Sequence, residues 1–308
     1  MTRIALLAGG TGGGKLAAGL QDVVGSELSV IVNTADDLEV HGLLVSPDPD
    51  LVTYWLSGEI DEERGWGIRG DGFVVHERLQ RLGAPGWFGL SDRDLATCLY
   101  RTHFLAEGGT RTAAQAQIAR ALGVRAAVLP MCEERVATRV LTPAGWRELQ
   151  EFLILARGEA PIEGIEVSGI DAARATPEVA AALQGAEAIV VGPSNPVISI
   201  GPIVSIPEIR EAVVASEAPV VAVSPLVAGR SVKGPTEAFL AAVGRPVTPA
   251  GVASLYEGLL DGFVVDADDP GDDPEGVAVL RRPTLMADAP GRRALAERVL
   301  ELAGKVAR

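Results

Sequence analysis

Two groups of residues near the N-terminus have the types and spacing to do chemistry. The first is Gly9, Gly10, Thr11, Gly12, Gly13, Gly14 and Lys15, within LLAGGTGGGKLAAGL at positions 6–20. Glycines let a backbone approach a phosphate closely, and a following helix presents free N–H groups to it. The second is Asp36, Asp37, Asp48 and Asp50, in the polar stretch 33–50. Carboxylates beside a phosphate cradle make sense only if something neutralises both. Magnesium does this by taking carboxylate and phosphate oxygens together. The plainer alternative is a solvated acidic loop, with Ser46 or Asp48 capping a helix in SPDPD.

The glycine run fits neither of the two commonest nucleotide loops. A Walker loop needs Ser or Thr after its Gly-Lys to hold magnesium, and here Leu16 follows Gly14-Lys15. A dinucleotide loop wants G-x-G-x-x-G. The frame from Gly10 has Lys15 in place of the last glycine, and Asn33-Thr34-Ala35-Asp36-Asp37 where an acidic residue should end the second strand. Binding of some other phosphate or nucleotide remains, with a structural tight turn as the plain alternative. A third stretch, VGPSNPVISIGPI at 191–203, has prolines that remove backbone donors, so Ser194 and Asn195 must offer polar contacts by side chain. It also reads as a rigid turn opened by Asn-Pro.

These segments need elements to hold them. RIALLA (3–8) reads as a buried parallel strand, GGTGGG as a loop, Lys15 to about Val24 as a helix, and LSVIVN (28–33) as a second strand. Helical patterns at 74–82, 92–106 and 112–122 make residues 51–122 a mainly helical insertion. RAAVLP (125–130) returns as a strand, and VATRVLTPAGWRELQEFLIL reads as two strands, or a strand and a helix, around a Pro-Ala-Gly turn. Strand-loop and helix patterns then alternate through AEAIVVGPSNP, IPEIREAVVAS and APVVAVSPLVAG. An amphipathic helix over 290–305 ends the chain, and DADDPGDDPEG (266–276) reads as an acidic surface loop. The order predicts an α/β fold in one domain over 1–308: a doubly wound, Rossmann-like, mostly parallel sheet with the insertion over its carboxyl edge. Loops 9–14, 33–37, 192–196 and 224–230 would meet at that edge, where such sheets bind ligands.

Composition narrows the partners. A net charge of −14 repels polyphosphate backbones, so a nucleic acid is not expected. The 308 residues are 47% apolar, enough for a sizeable core, and no run of about 18 apolar residues predicts a membrane span. Cys98 and Cys132 have neither disulfide nor zinc spacing, which fits a reducing cytoplasm. His41, His76 and His103 read as packing, surface or loop residues.

Taken in order, GGTGGGKLAAGL, VNTADD, SPDPDLVTYWLSG, RGWGIRGDGF, WFGLSDRDLAT, VGPSNPVISIGPIVSIPEIR and VVAVSPLVAG resemble the 2-phospho-L-lactate transferase (CofD/FbiA) family of coenzyme F-420 biosynthesis. The resemblance runs from about residue 4 to about residue 262. It implies transfer of a phospho-carboxylic acid from a guanosine diphosphate ester to the deazaflavin Fo, with release of GMP and help from magnesium. It further implies small-molecule substrates and, as the expected assembly, a homodimer. Such a reaction needs positioning and charge neutralisation, and no Ser-His-Asp or Cys-His constellation is evident.

By this resemblance Asp50 contacts Fo and acts as a catalytic group with Asp37, and Asp36, Asp37 and Asp50 hold magnesium. Gly9, Gly10, Thr11, Gly12, Gly13 and Lys15 form the phosphate loop, Ser194 and Asn195 face the nucleotide, and Asp92, Arg93 and Asp94 bind the acceptor. Three positions depart from the family pattern. Gly89 stands where some archaeal members have an Fo-contacting lysine, Cys98 where many have histidine, and Pro49 where leucine is usual. The donor's acid (lactate, enolpyruvate or glycerate) is left open. A nucleotide-sugar-binding regulator of the same superfamily is the alternative, and a nicotinamide oxidoreductase comes last.

Overall fold

The computed structural model describes residues 2–307. Its centre is a seven-stranded, wholly parallel sheet. Its strands, numbered in chain order, are β1 (Ile4–Ala8), β2 (Leu28–Val32), β3 (Ala127–Pro130), β4 (Ala188–Val191), β5 (Val220–Val223), β6 (Gly262–Val265) and β7 (Ala278–Arg281). Their spatial order is 3-2-1-4-5-6-7. It reverses direction between β1 and β4, and a crevice opens outside the carboxyl ends of such a pair.

Both faces of the sheet are covered, which explains why its central strands β1, β4 and β5 are continuous apolar runs. Along β1, Ile4, Leu6 and Ala8 face one layer while Ala5 and Leu7 face the other. The first layer is α1 (Gly10–Val24), α2 (Pro47–Ser57) and the C-terminal helix Ala289–Lys305, through Leu16, Val52, Leu295 and Val299. Helices Pro177–Gly185 and Pro207–Ala215 supply the second through Val179, Leu183, Ile209 and Val213. Between β2 and β3 the chain makes the expected helical insertion, with α3 (Val74–Arg81), α4 (Asp92–Ala106) and α5 (Arg111–Ala121).

The structure differs from the sequence reading in two places and refines it in two more. The glycine run is not a free loop: α1 begins at Gly10, so Gly10 to Gly14 are its first turns. The stretch 33–50 contains a hairpin (Leu38–Val40 with Leu43–Val45), and α2 starts at Pro47, so Asp48 and Asp50 lie in a helical first turn. The segment after β3 forms both of the alternatives considered, since strands Ala137–Thr142 and Gly145–Glu148 pair and helix Leu149–Ile154 follows them. The acidic loop is anchored: buried Asp266 accepts from the Thr284 N–H at 2.9 Å, and Asp269 from the Gly229 N–H at 2.7 Å. Cys98 and Cys132 are free and buried. Among the described residues, no helix is long and apolar enough to cross a membrane.

Candidate active site

A cleft of about 380 Å³ opens at the carboxyl ends of β1 and β4. That is room for a small organic ligand. One wall is the start of α1 with the 193–199 segment. The facing wall comes from the insertion and carries Leu51, Trp66 and Phe88.

The glycines are needed first for packing. Gly10 has φ +60°, a conformation that other residues adopt only with strain. A Cβ on Gly12 would sit 2.1 Å from the Pro193 carbonyl oxygen, and one on Gly14 would sit 2.6 Å from the Trp55 ring. The loop's leading amides are already engaged. The Gly9 N–H donates to Ser194 Oγ at 3.1 Å, and that hydroxyl donates back to the Gly9 carbonyl at 2.7 Å. The Gly10 N–H donates to Asp48 Oδ1 at 2.7 Å. Ser194 therefore braces the turn while lining the cleft, and Gly9 and Gly10 spend their donors inside the protein. Thr11, Gly12 and Lys15 line the cleft, whereas Gly13 lies behind it against Ser194 and Ala8. Asn195 also lines it, and its Oδ1 accepts from the Val197 and Ile198 N–H groups at 2.9 and 3.2 Å.

The carboxylates divide into three groups. Asn33, fully buried at the end of β2, donates its amide to Asp36 at 3.0 Å and to Asp48 at 2.9 Å. Both acids line the cleft. Burial pushes Asp48 up to about 6 against the pull of Asn33 and Gly10. Burial raises Asp36 as well, and the neighbouring Asp48 adds to the rise. Two acids converging on one neutral amide suit a hard divalent cation, whose charge would let both ionise.

Asp37 is turned away from the cleft lining. It pairs with Arg111, accepts from Ser46 Oγ at 3.1 Å, and leaves its Oδ1 buried without a partner among the described residues. Burial lifts its pKa to about 6, with Arg111 opposing.

Asp50 does line the cleft, but it is held by Arg101 through both guanidinium terminal nitrogens, one at 3.0 Å. Desolvation opposes the Arg101 charge, and Asp50 overcomes it and raises the arginine's pKa. Of the carboxylates expected to bind metal, Asp37 and Asp50 are engaged by arginines, whereas Asp36 shares the Asn33 amide with Asp48.

The DRD segment divides as well. Asp92 accepts from the Val74 and Val75 N–H groups at 3.1 and 2.9 Å and so holds the start of α3. Arg93 is exposed, and neither residue lines the cleft. Asp94 does, and accepts from the Tyr54 hydroxyl at 2.8 Å. Burial, reinforced by Asp50, pushes it up to about 7. Asp50, Asp94 and Cys98 bring ligand atoms within 4.8 Å of one another, but burial pushes the thiol up and keeps it protonated. Asn33, Tyr54, Arg101 and Arg111 are functional neighbours that sequence reasoning missed. Only VNTADD, which places Asn33 at a strand end, carried a usable signal.

The chain is similar to known proteins over nearly its whole length. The family model described as 2-phospho-L-lactate transferase CofD matches residues 4–276. The 2-phospho-L-lactate transferase of Methanosarcina mazei is 39% identical over 301 residues, covering 96% of this chain and 99% of that protein. The phosphoenolpyruvate transferase of Streptomyces griseus is 40% identical over 317 residues, covering 99% of each. A solved structure of a UPF0052 family protein from Bacillus halodurans superposes with a TM-score of 0.64 at 18% identity, covering 97% of this chain and 98% of that one, which shows a shared fold. With a parallel sheet reversing at β1 and β4, a cleft at that reversal and matches of this extent, the chain belongs to the 2-phospho-L-lactate transferase (CofD) family.

Proposed function

We propose that the protein is a transferase of coenzyme F-420 biosynthesis. It would move a phospho-carboxylic acid moiety from a guanosine diphosphate ester to the terminal ribityl hydroxyl of Fo and release GMP. The observation that carries this reading is the division of one cleft. A polar end holds the α1 start, Ser194, Asn195, Asp36 and Asp48, and an apolar wall of Leu51, Trp66 and Phe88 suits a flat ring system. The new bond joins the ribityl oxygen to the phosphorus bearing the acid. The bond from that phosphorus to the GMP oxygen breaks, GMP leaves with the electron pair, and the hydroxyl proton passes to a carboxylate.

Asp94 is the carboxylate that fits this task. It lines the cleft, is held by Tyr54 and has a pKa near 7, where a general base works best at neutral pH. Asp50, engaged by Arg101, positions the neighbourhood. Magnesium at Asp36 and Asp48 would neutralise the charge of the diphosphate. The compartment proposed is the cytoplasm, and the assembly a homodimer.

Incubation with Fo, magnesium and a guanosine diphosphate ester should yield GMP and a phosphorylated Fo product by mass. Stabilisation by UDP-sugars, with none by guanine nucleotides and no transfer, would overturn the reading in favour of a nucleotide-sugar-binding regulator.

A further inference from the structure

Of the carboxylates lining the cleft, Asp50 is already held by Arg101, and two cationic side chains, Lys15 and Lys233, line it as well. The Lys15 ammonium donates to the Met286 carbonyl at 3.0 Å. Lys233 follows the short hairpin Leu226–Val227/Arg230–Ser231 and reaches across the cleft mouth to the Gly65 carbonyl at 2.7 Å. That carbonyl also accepts from Thr11 Oγ1 at 3.3 Å, so the ammonium stands beside the first turn of α1. The hairpin that carries it is fixed. Asp269 holds the Gly229 N–H, and Glu237 holds the Ser231 N–H at 2.8 Å. Among the described residues, Lys233 has no carboxylate partner. Desolvation and then the nearby Lys15 charge lower its pKa, the condition of a cation lacking an anion.

Two of the loop's donors are already spent, since Gly9 and Gly10 give theirs to Ser194 and Asp48. Side-chain cations would therefore work beside magnesium at Asp36 and Asp48 in neutralising a phosphate here. Lys233 stands where the polar end of the cleft meets the insertion, next to Gly65 and Trp66. A group in transit between donor and acceptor would pass that boundary.

We infer that Lys233 binds the second phosphate of a nucleoside diphosphate in the cleft, giving up the Gly65 carbonyl for it. This rests on the reading of the cleft as a guanosine diphosphate ester site. Its consequence is selectivity: Lys233 distinguishes a nucleoside diphosphate from a monophosphate and so helps the product GMP to leave.

The test is calorimetric titration of wild type, Lys233→Met and Lys233→Arg with GDP and with GMP. Lys233→Met should weaken GDP by about tenfold or more, the scale of one charge-assisted hydrogen bond. It should leave GMP within about twofold, and Lys233→Arg should recover most of the GDP affinity because it keeps the charge. Unchanged GDP binding by Lys233→Met, or equal losses for GDP and GMP, would overturn the inference alone. A wild-type protein that binds neither nucleotide would overturn it together with the guanine-nucleotide reading.

Discussion

Arg101 closes on the Asp50 carboxylate with both terminal nitrogens, and the two side chains are 3% and 5% exposed. Removing one partner of a buried pair strands the other's charge, at a cost of roughly 3–5 kcal/mol. Asp50→Asn should therefore lower the urea midpoint substantially, even in protein that is never assayed. Asp50→Asn with Arg101→Met should recover much of the loss, because neither charge is then left buried. A single variant as stable as wild type would show that the pair contributes nothing to folding.

Asp94 gives a signed pH dependence. Its pKa in the fold, about 7, lies above the ordinary carboxylate value. Its carboxyl therefore favours the fold at low pH, and that contribution is lost as pH rises from about 4 to about 7. Turnover should move the opposite way, rising through about pH 7 as Asp94 becomes able to accept a proton. Asp94→Asn should flatten both trends and reduce transfer by roughly 10²-fold or more. An unaltered pH-rate profile in that variant would take the base role from Asp94.

Gly12→Ala should be costly for a reason unrelated to backbone freedom. The new methyl would meet the Pro193 carbonyl at 2.1 Å, so α1 and the 193–199 segment must separate. Overpacking of this kind costs about 1–3 kcal/mol. The displaced wall should also lose GDP-induced stabilisation, measurable as a thermal shift that no longer grows with nucleotide.

Magnesium should stabilise the wild-type protein by mass action, at about 2.7 kcal/mol when its concentration is a hundredfold above Kd. Asp48→Asn keeps the size of the side chain and removes one of the two charges converging on Asn33. Calorimetry should then show the magnesium-dependent rise in Tm abolished and EDTA without effect. A rise equal to that of wild type would move the cation away from Asp36 and Asp48.

Much of this arrangement was legible in the sequence. The unbroken apolar runs of β1, β4 and β5, with β2 interrupted only by Ser29, carry the doubly wound sheet, and the glycine run marks where α1 meets a neighbouring wall. The hairpin in 38–45 was not legible, because three-residue strands produce too little alternation to register. Nor were the arginine partners of Asp37 and Asp50. Arg101 and Arg111 lie on insertion helices far along the chain, and a lone arginine in a helix usually reads as surface. Asp92 and Asp94 show the limit most sharply. They are two residues apart on one helix, so they point to different sides. One joins the cleft and the other serves α3, a difference that only three-dimensional packing decides.

The pairing of Ile4 with Ala188 has a consequence for how the protein is made. During synthesis, β1 and β2 emerge early, but β1 waits for its other neighbour until most of the chain has left the ribosome. Until then an apolar strand edge stays open, the situation in which nascent chains associate wrongly or recruit chaperones. One wall of the cleft is split across the same gap, between residues 9–12 and 193–195. If the proposed guanine-nucleotide site is right, a nascent chain has no means of capturing GDP until β4 and the segment after it have been made. Fragments that end before β4 should be aggregation-prone and blind to nucleotide, however well their own helices form.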